Sequence, residues 1–224
     1  MAIEGFTKRH LEPADRLAEV LCGLIMVLTF TLTAGLTAGS GPEAVRTLLV
    51  AAIGCNLAWG IIDGVLYVLT SISQRSSRAR LAEAMKAAPD DHTALELLRA
   101  TVAPKLLGVV VSDDPDSLGK VLAALRGHLK IATIRATRVT RDDVLGGFAI
   151  FLLEVFSCLP AAVPFLFIRE PHLALHVSNA ILIVLLFLVG EAWARFTWVP
   201  RFWTGLGMAA IGLAMVGVAA LLGG

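Results

Sequence analysis

Five long apolar runs constrain what this sequence can fold into. A helix needs about 20 mostly apolar residues to cross the hydrocarbon core of a bilayer, and each run reaches that length. The runs show no alternation of polar and apolar residues, which argues against a membrane β-barrel. The sequence therefore predicts an all-α polytopic membrane protein with five transmembrane helices. The predicted spans are Leu17–Ala38, Val45–Ile72, Val144–Ile168, Leu173–Trp193 and Phe202–Leu222.

The composition agrees with this fold class. Hydrophobic residues make up 57% of the 224 residues and charged residues 17%, with a mean hydropathy of +0.78. Soluble domains carry about 45–50% apolar and about 25% charged residues, so both values are displaced toward a membrane protein. The three cysteines all lie in apolar runs without CxxC spacing, which indicates neither a disulfide framework nor a zinc site.

Lysine and arginine positions predict the orientation of the chain in the membrane. Twelve of them lie between residues 75 and 141, and others lie before span 1 and beside the loop between spans 4 and 5. These segments fall on one side of a five-span protein, so the N-terminus and the long loop are expected in the cytosol and the C-terminus outside. The N-terminus has no signal-peptide layout. Together with the short loops, this suits a bacterial inner membrane.

The segment between spans 2 and 3 is too long to be a simple connection. Its pattern predicts short helices, one around Met85 that ends near Pro89, one capped by Asp90 or Asp91, and one capped by Ser117. It has twelve basic and seven acidic residues but no aromatic residue. We therefore expect attraction to anionic lipid but no nucleic acid as a partner. The predicted parts of the chain are residues 1–74 with spans 1 and 2, residues 75–141 as a small helical cytosolic insertion, and residues 142–224 with spans 3 to 5.

Ionisable residues inside a span are costly to bury and indicate functional sites. Asp63 lies within span 2, and Asn56, Gly60 and Tyr67 share its helix face at spacings of three and four residues. This small and polar stripe suits either close helix packing or the lining of a path. A structural hydrogen bond to another helix is the alternative role for Asp63.

A second group of polar residues lies in spans 1 and 3. Glu154 in span 3 is expected to form an acidic pair with Asp63, and oxygen ligands of this kind suit Mn²⁺ and, less selectively, Fe²⁺. Glu19, Cys22 and Met26 lie on one face of span 1, as an acid, thiol and thioether row suited to a softer divalent metal. The alternatives are a hydrogen bond to a neighbouring helix for Glu154 and an ordinary interfacial carboxylate for Glu19.

Several local motifs resemble the vacuolar iron transporter family. They are Gly60-Ile61-Ile62-Asp63-Gly64 in span 2, the segment Cys158-Leu159-Pro160-Ala161-Ala162-Val163-Pro164-Phe165 that ends span 3, and Gly205-Leu206-Gly207-Met208 with Ile211-Gly212 in span 5. The resemblance implies five spans, a helical cytosolic domain after span 2, a homodimer, and transport of Fe²⁺ or Mn²⁺ in exchange for protons. Asp63 matches the family's aspartate in span 2.

The chain also departs from that family at several positions. Ile25-Met26-Val27 stands in span 1 where the family has Asp-Gly, and Tyr67 with Thr70-Ser71 replaces a Met and Gly-Glu late in span 2. The long loop is basic, and its only glutamates are Glu83 and Glu96. The metal-binding glutamates that the family carries in this domain are therefore largely absent.

These observations predict a divalent metal transporter with no bound cofactor other than its transported ion. The predicted pathway residues are Asp63, Glu154, Glu19, Met26, Asn56 and Tyr67. The alternative is a membrane protein of the same architecture that does not transport and that binds a partner or anionic lipid through its basic loop. An enzyme is not expected, since the sequence has no nucleophile–base arrangement, HExxH motif or glycine-rich phosphate loop.

Overall fold

The computed structural model describes residues 2–35, 42–107, 117–131, 133–134 and 137–221. Across these ranges the chain is helical and contains no β-strand. A short 3-10 turn, Ala194–Phe196, follows the seventh helix. The α-helices are α1 (Ala2–His10), α2 (Pro13–Gly35), α3 (Pro42–Ala87), α4 (Asp91–Leu107), α5 (Ser117–Ile131), α6 (Arg141–Phe167), α7 (Pro171–Trp193) and α8 (Arg201–Leu221).

Four helical segments of the described chain are long and apolar enough to cross a membrane, as expected of an all-α membrane protein. They are Leu49–Ala87 of α3, Arg141–Phe167, Pro171–Phe196 and Arg201–Val218. The helix α2 is not among them. Its first seven residues include Asp15, Arg16 and Glu19, which are three charges in a stretch where a membrane span holds few. The part of α2 without charged residues begins at Val20.

The chain divides into two compact units. One consists of Met1–Val68 with Arg141–Gly224, and the other of Leu69–Thr140. The core of the first unit lies where α2, α6 and α7 meet. Leu24, Leu28 and Leu182 are buried there, together with Leu186 and Cys158. Many large apolar side chains remain exposed on α3, α6, α7 and α8, which is the arrangement expected of helices in contact with lipid.

Aromatic residues cluster around the turn between α7 and α8. Trp198 and Trp203 are exposed, and Phe202 contacts Phe187 and Trp203 edge to face, with ring centroids 5.9 and 6.0 Å apart. Tryptophan is enriched at the boundary between lipid and water because its ring is amphipathic. This turn therefore has the composition of a membrane interface.

The short helix α1 packs against the start of α6. Leu11, just after α1, is buried with Ala149 and Ile150. The ring of Phe6 lies edge to face against Phe148, with centroids 6.1 Å apart. These apolar contacts attach the N-terminal segment to the bundle.

The second unit has a small core of its own, formed by Met85, Leu98 and Leu122 from α3, α4 and α5. The side chain of Asp90 accepts hydrogen bonds from the Thr93 amide (2.7 Å) and the Thr93 hydroxyl (2.9 Å). These bonds lower the pKa of Asp90 below its usual value, and they make it the N-cap of α4. One of the two alternatives predicted for this cap is thus the observed one.

The helix around Met85 is not separate from span 2. The structure has one continuous helix of 46 residues, α3, where the sequence analysis predicts a span to Ile72 followed by a distinct short helix. The physical reason is visible in the sequence, because neither glycine nor proline interrupts residues 65–87. The end of this helix at Ala87, shortly before Pro89, agrees with the prediction.

Candidate functional site

The polar and small residues of α3 lie along one side of α6. The Nδ2 group of Asn56 donates to the carbonyl oxygen of Glu154 (3.3 Å). A Cβ atom added to Gly64 would lie 2.7 Å from the carbonyl oxygen of Gly147, so the two backbones are in direct contact. The predicted stripe is therefore the face on which α3 packs against α6.

This packing brings three potential metal ligands together near the middle of the bundle. Ligand atoms of Cys22 in α2, Asp63 in α3 and Glu154 in α6 all lie within 4.8 Å of one another. We call these three residues the Cys22–Asp63–Glu154 cluster. Each comes from a different helix, so the cluster exists only in the folded bundle.

Glu154 is the most unusual member of the cluster. Its side chain is 0% exposed, and neither carboxylate oxygen has a hydrogen-bond partner within the described part of the protein. Its backbone carbonyl oxygen, in contrast, accepts hydrogen bonds from the Ser157 hydroxyl (2.7 Å) and from Asn56 (3.3 Å). The backbone is thus held by neighbouring side chains, while the buried carboxylate is left for a proton or a cation to neutralise.

Glycines allow the neighbouring helices to approach Glu154 closely. A Cβ atom at Gly23 would overlap the Ser157 hydroxyl and lie 3.2 Å from the Glu154 carbonyl oxygen. A Cβ atom at Gly60 would lie 3.1 Å from the ring of Phe151 and 3.4 Å from Oε2 of Glu154. Small residues at such crossings let helix backbones come together in a membrane. Gly23 and Gly60 thus lie where α2 and α3 approach α6 beside the cluster.

The other predicted pathway residues have different surroundings. Glu19 lies one turn before Cys22 on α2 and interacts electrostatically with Asp63. The hydroxyl of Tyr67 donates to the carbonyl oxygen of His10 (3.4 Å), which links α3 to the end of α1. Met26 is half-buried one turn beyond Cys22. Its participation in a pathway stays a prediction.

Asn56 joins the three helices beside the cluster. It is 1% exposed, and its Nδ2 group donates both to Gly23 of α2 and to Glu154 of α6, each at 3.3 Å. A structural hydrogen bond to another helix is the alternative predicted for Asp63, and in the structure Asn56 makes such bonds. The Oδ1 atom of Asn56 is buried without a partner among the residues that the structure describes.

The position of Cys22 in the cluster was not predicted. The sequence places Cys22 on one face with Glu19 and Met26, and these two are predicted to share a pathway with Asp63 and Glu154, but Cys22 is not among the predicted pathway residues. The signal that could have found it is Gly23. A glycine beside a thiol in an apolar run marks a place where another helix approaches closely.

A small pocket lies about one turn beyond Asn56, lined by residues of α2, α3 and α6. Its lining is apolar and includes Val27, Ala52 and Ala161. Apart from the Cys158 thiol, which donates to the Val155 carbonyl oxygen, this lining offers a cation no ligand. The Cys22–Asp63–Glu154 cluster therefore remains the better candidate site.

Replacing Asn56 by alanine should loosen the site without removing a ligand. We expect the free energy of unfolding to fall by about 1–2 kcal/mol, since two interhelical hydrogen bonds in a membrane contribute about 0.6 kcal/mol or more each. Thermal unfolding in detergent measures this loss. Asn179→Ala is the matched control, because Asn179 accepts an interhelical hydrogen bond from Thr31 (2.8 Å) elsewhere in the bundle. Metal affinity should fall in Asn56→Ala but not in Asn179→Ala, and equal affinities would show that Asn56 does not support the site.

Comparison with known proteins adds no family assignment. No family model matches the chain, and no curated protein matches it at a significant level.

Proposed function

We propose that this protein carries divalent metal ions, iron or manganese, across a membrane in exchange for protons. The supporting observation is the Cys22–Asp63–Glu154 cluster, whose ligand atoms lie within 4.8 Å of one another. A cation bound there would neutralise the buried carboxylate of Glu154, which has no hydrogen-bond donor within the described ranges. The transported ion is the substrate, and no resident cofactor is proposed.

The depth of the cluster in the bundle supports a transport role. Glu154 lies thirteen residues from each end of α6, which is about 20 Å at 1.5 Å per residue. In a helix that crosses a bilayer this position is near the midplane, where transporters commonly bind substrate. A site meant only to bind metal has no need to lie so far from water.

Proton exchange follows from the chemistry of the ligands. A thiol and carboxylic acids must lose their protons to coordinate a cation, so that binding releases protons. Protons that return after the ion has left would neutralise the carboxylates and reset the carrier. This is our reason to propose exchange instead of simple conduction.

The remaining features of the proposal rest on the sequence. We propose that α2 belongs to a fifth span, Leu17–Ala38, because the sequence has no charged residue from Val20 to Ala38. The distribution of basic residues supports a cytosolic N-terminus and an external C-terminus. The short loops between spans suit a bacterial inner membrane. Membership of the vacuolar iron transporter family, and with it a homodimer, is supported by the motifs around Asp63, at the end of span 3 and in span 5.

The test is metal uptake by proteoliposomes that contain the purified protein. With an outward proton gradient, the wild type should take up Mn²⁺ and Fe²⁺, and Asp63→Asn should reduce uptake to the rate of protein-free liposomes. Asp142→Asn is the matched control, since Asp142 is an exposed aspartate in the first turn of α6. Equal uptake by Asp63→Asn and wild type would remove Asp63 from the mechanism. Absence of uptake by the wild type would favour a protein that does not transport.

A further inference from the structure

The cluster combines ligands of different chemical character. Asp63 and Glu154 supply oxygen, and Cys22 supplies sulfur within 4.8 Å of both. Carboxylates suit Mn²⁺, whereas a thiolate prefers Zn²⁺ and other softer cations. A site built for Mn²⁺ alone would not need the thiol. From this donor set we infer that Cys22 is a metal ligand and selects thiophilic divalent ions, the class of Fe²⁺, Co²⁺ and Zn²⁺, over Mn²⁺. This inference rests on the proposed function and narrows its substrate class.

The three cysteines of the chain differ in their surroundings. Cys158 is buried in the core with Leu24 and Leu182, and its thiol donates to the Val155 carbonyl oxygen (3.0 Å). Cys55 lies on α3 next to Asn56 but belongs to no cluster of potential ligands in the described structure. Only Cys22 among the three has two carboxylates within coordinating reach. The inference is therefore specific to Cys22.

The burial of Glu154 is the independent reason to expect a ligand at this thiol. By geometry, no donor of the described residues is placed to bond to either oxygen of the Glu154 carboxylate, and its polar neighbours are the Cys22 thiol and Asp63. A cation held between sulfur and oxygen would interact with both groups at once. Binding would form a bond from the metal to the Cys22 sulfur, and the thiol proton would leave to solvent.

Co²⁺ is the probe for this inference, because a thiolate bound to Co²⁺ gives a charge-transfer absorption in the near ultraviolet that oxygen ligands do not give. The experiment uses the full-length protein in detergent, with Cys55→Ser and Cys158→Ala combined so that Cys22 is the sole thiol. We expect Co²⁺ to produce the charge-transfer band in this protein and Zn²⁺ to displace it. A Co²⁺ complex without the band would overturn the inference.

Cys22→Ser tests the selectivity, with Cys55→Ser as the matched control. Cys22→Ser should weaken Co²⁺ binding by about tenfold or more and change Mn²⁺ binding by less than about threefold. Cys55→Ser should change neither. Equal weakening of both ions would mean that Cys22 acts through the fold and would overturn the inference.

Failure of the inference and failure of the proposed function are distinguishable. If Mn²⁺ uptake depends on Asp63 but Co²⁺ gives no thiolate band, then transport stands and the role of Cys22 is wrong. If the band appears but no ion is taken up by proteoliposomes, then the metal site is correct and transport is wrong.

Discussion

Replacing Glu154 by glutamine is expected to abolish metal transport without lowering the stability of the metal-free protein. Glu154 is 0% exposed, and its carboxylate has no donor among the described residues. A buried carboxylate of this kind is costly to the fold, and exchanging it for a neutral group of similar shape is often neutral or stabilising. The glutamine amide can donate to Asp63, which lies within 4.8 Å of the present carboxylate.

The measurement is thermal unfolding with and without metal. A ligand that binds only the folded protein stabilises it by about 2.7 kcal/mol at a hundredfold excess over its Kd. The wild type should gain this stability from Co²⁺ or Mn²⁺, while Glu154→Gln should gain none. In metal-free buffer we expect the variant to be at least as stable as the wild type.

Glu12→Gln is the matched control for Glu154→Gln, since Glu12 is exposed between α1 and α2. It should keep both the metal-induced stabilisation and the uptake. A Glu154→Gln variant that unfolds more easily in metal-free buffer would contradict the idea that this carboxylate is kept for function. It would indicate a structural hydrogen bond instead, the alternative that the sequence left open.

The acidic members of the cluster could be proposed from the sequence because charge is rare inside apolar runs. Asp63 and Glu154 were singled out by that rule, and the periodicity of Asn56, Gly60 and Asp63 predicted the face of α3 that meets α6. The spacing of residues around a helix and the cost of burying a charged side chain both depend on the local sequence. They are therefore readable without coordinates.

The thiol of the cluster could not be placed in the same way. Whether Cys22 meets Asp63 depends on how α2 crosses α3 and α6. Contacts between small residues that are far apart in the sequence determine this crossing. Gly23 against Ser157 is one such contact. The continuity of α3 differs from the prediction for another reason, because the predicted span ends at Ile72, shortly before the charged residues begin. Polarity changes where a helix leaves the membrane, but the helix need not end there.

Replacing Gly64 by leucine is expected to separate α3 from α6 and to destroy the cluster. A Cβ atom at Gly64 would lie 2.7 Å from the carbonyl oxygen of Gly147, and one at Gly147 would lie 2.5 Å from the carbonyl oxygen of Gly64. Each contact is with backbone, which cannot rotate away as a side chain can. Overpacking of an adaptable core lowers the free energy of unfolding by about 1–3 kcal/mol. We expect Gly64→Leu to lower it by more than this.

The same substitution also tests the metal site, because Gly64 lies next to a predicted metal ligand. Asp63 directly precedes Gly64, so a shift of α3 moves its carboxylate away from Glu154 and Cys22. Gly54→Leu is the matched control, since it adds the same side chain to the same helix at a glycine with no atom within 4 Å of the added Cβ. Thermal unfolding and Co²⁺ binding in detergent measure both effects. We expect Gly64→Ala to lie between wild type and Gly64→Leu. If Gly64→Leu unfolded and bound Co²⁺ like Gly54→Leu, then the close approach of α3 and α6 would not hold the three ligands together.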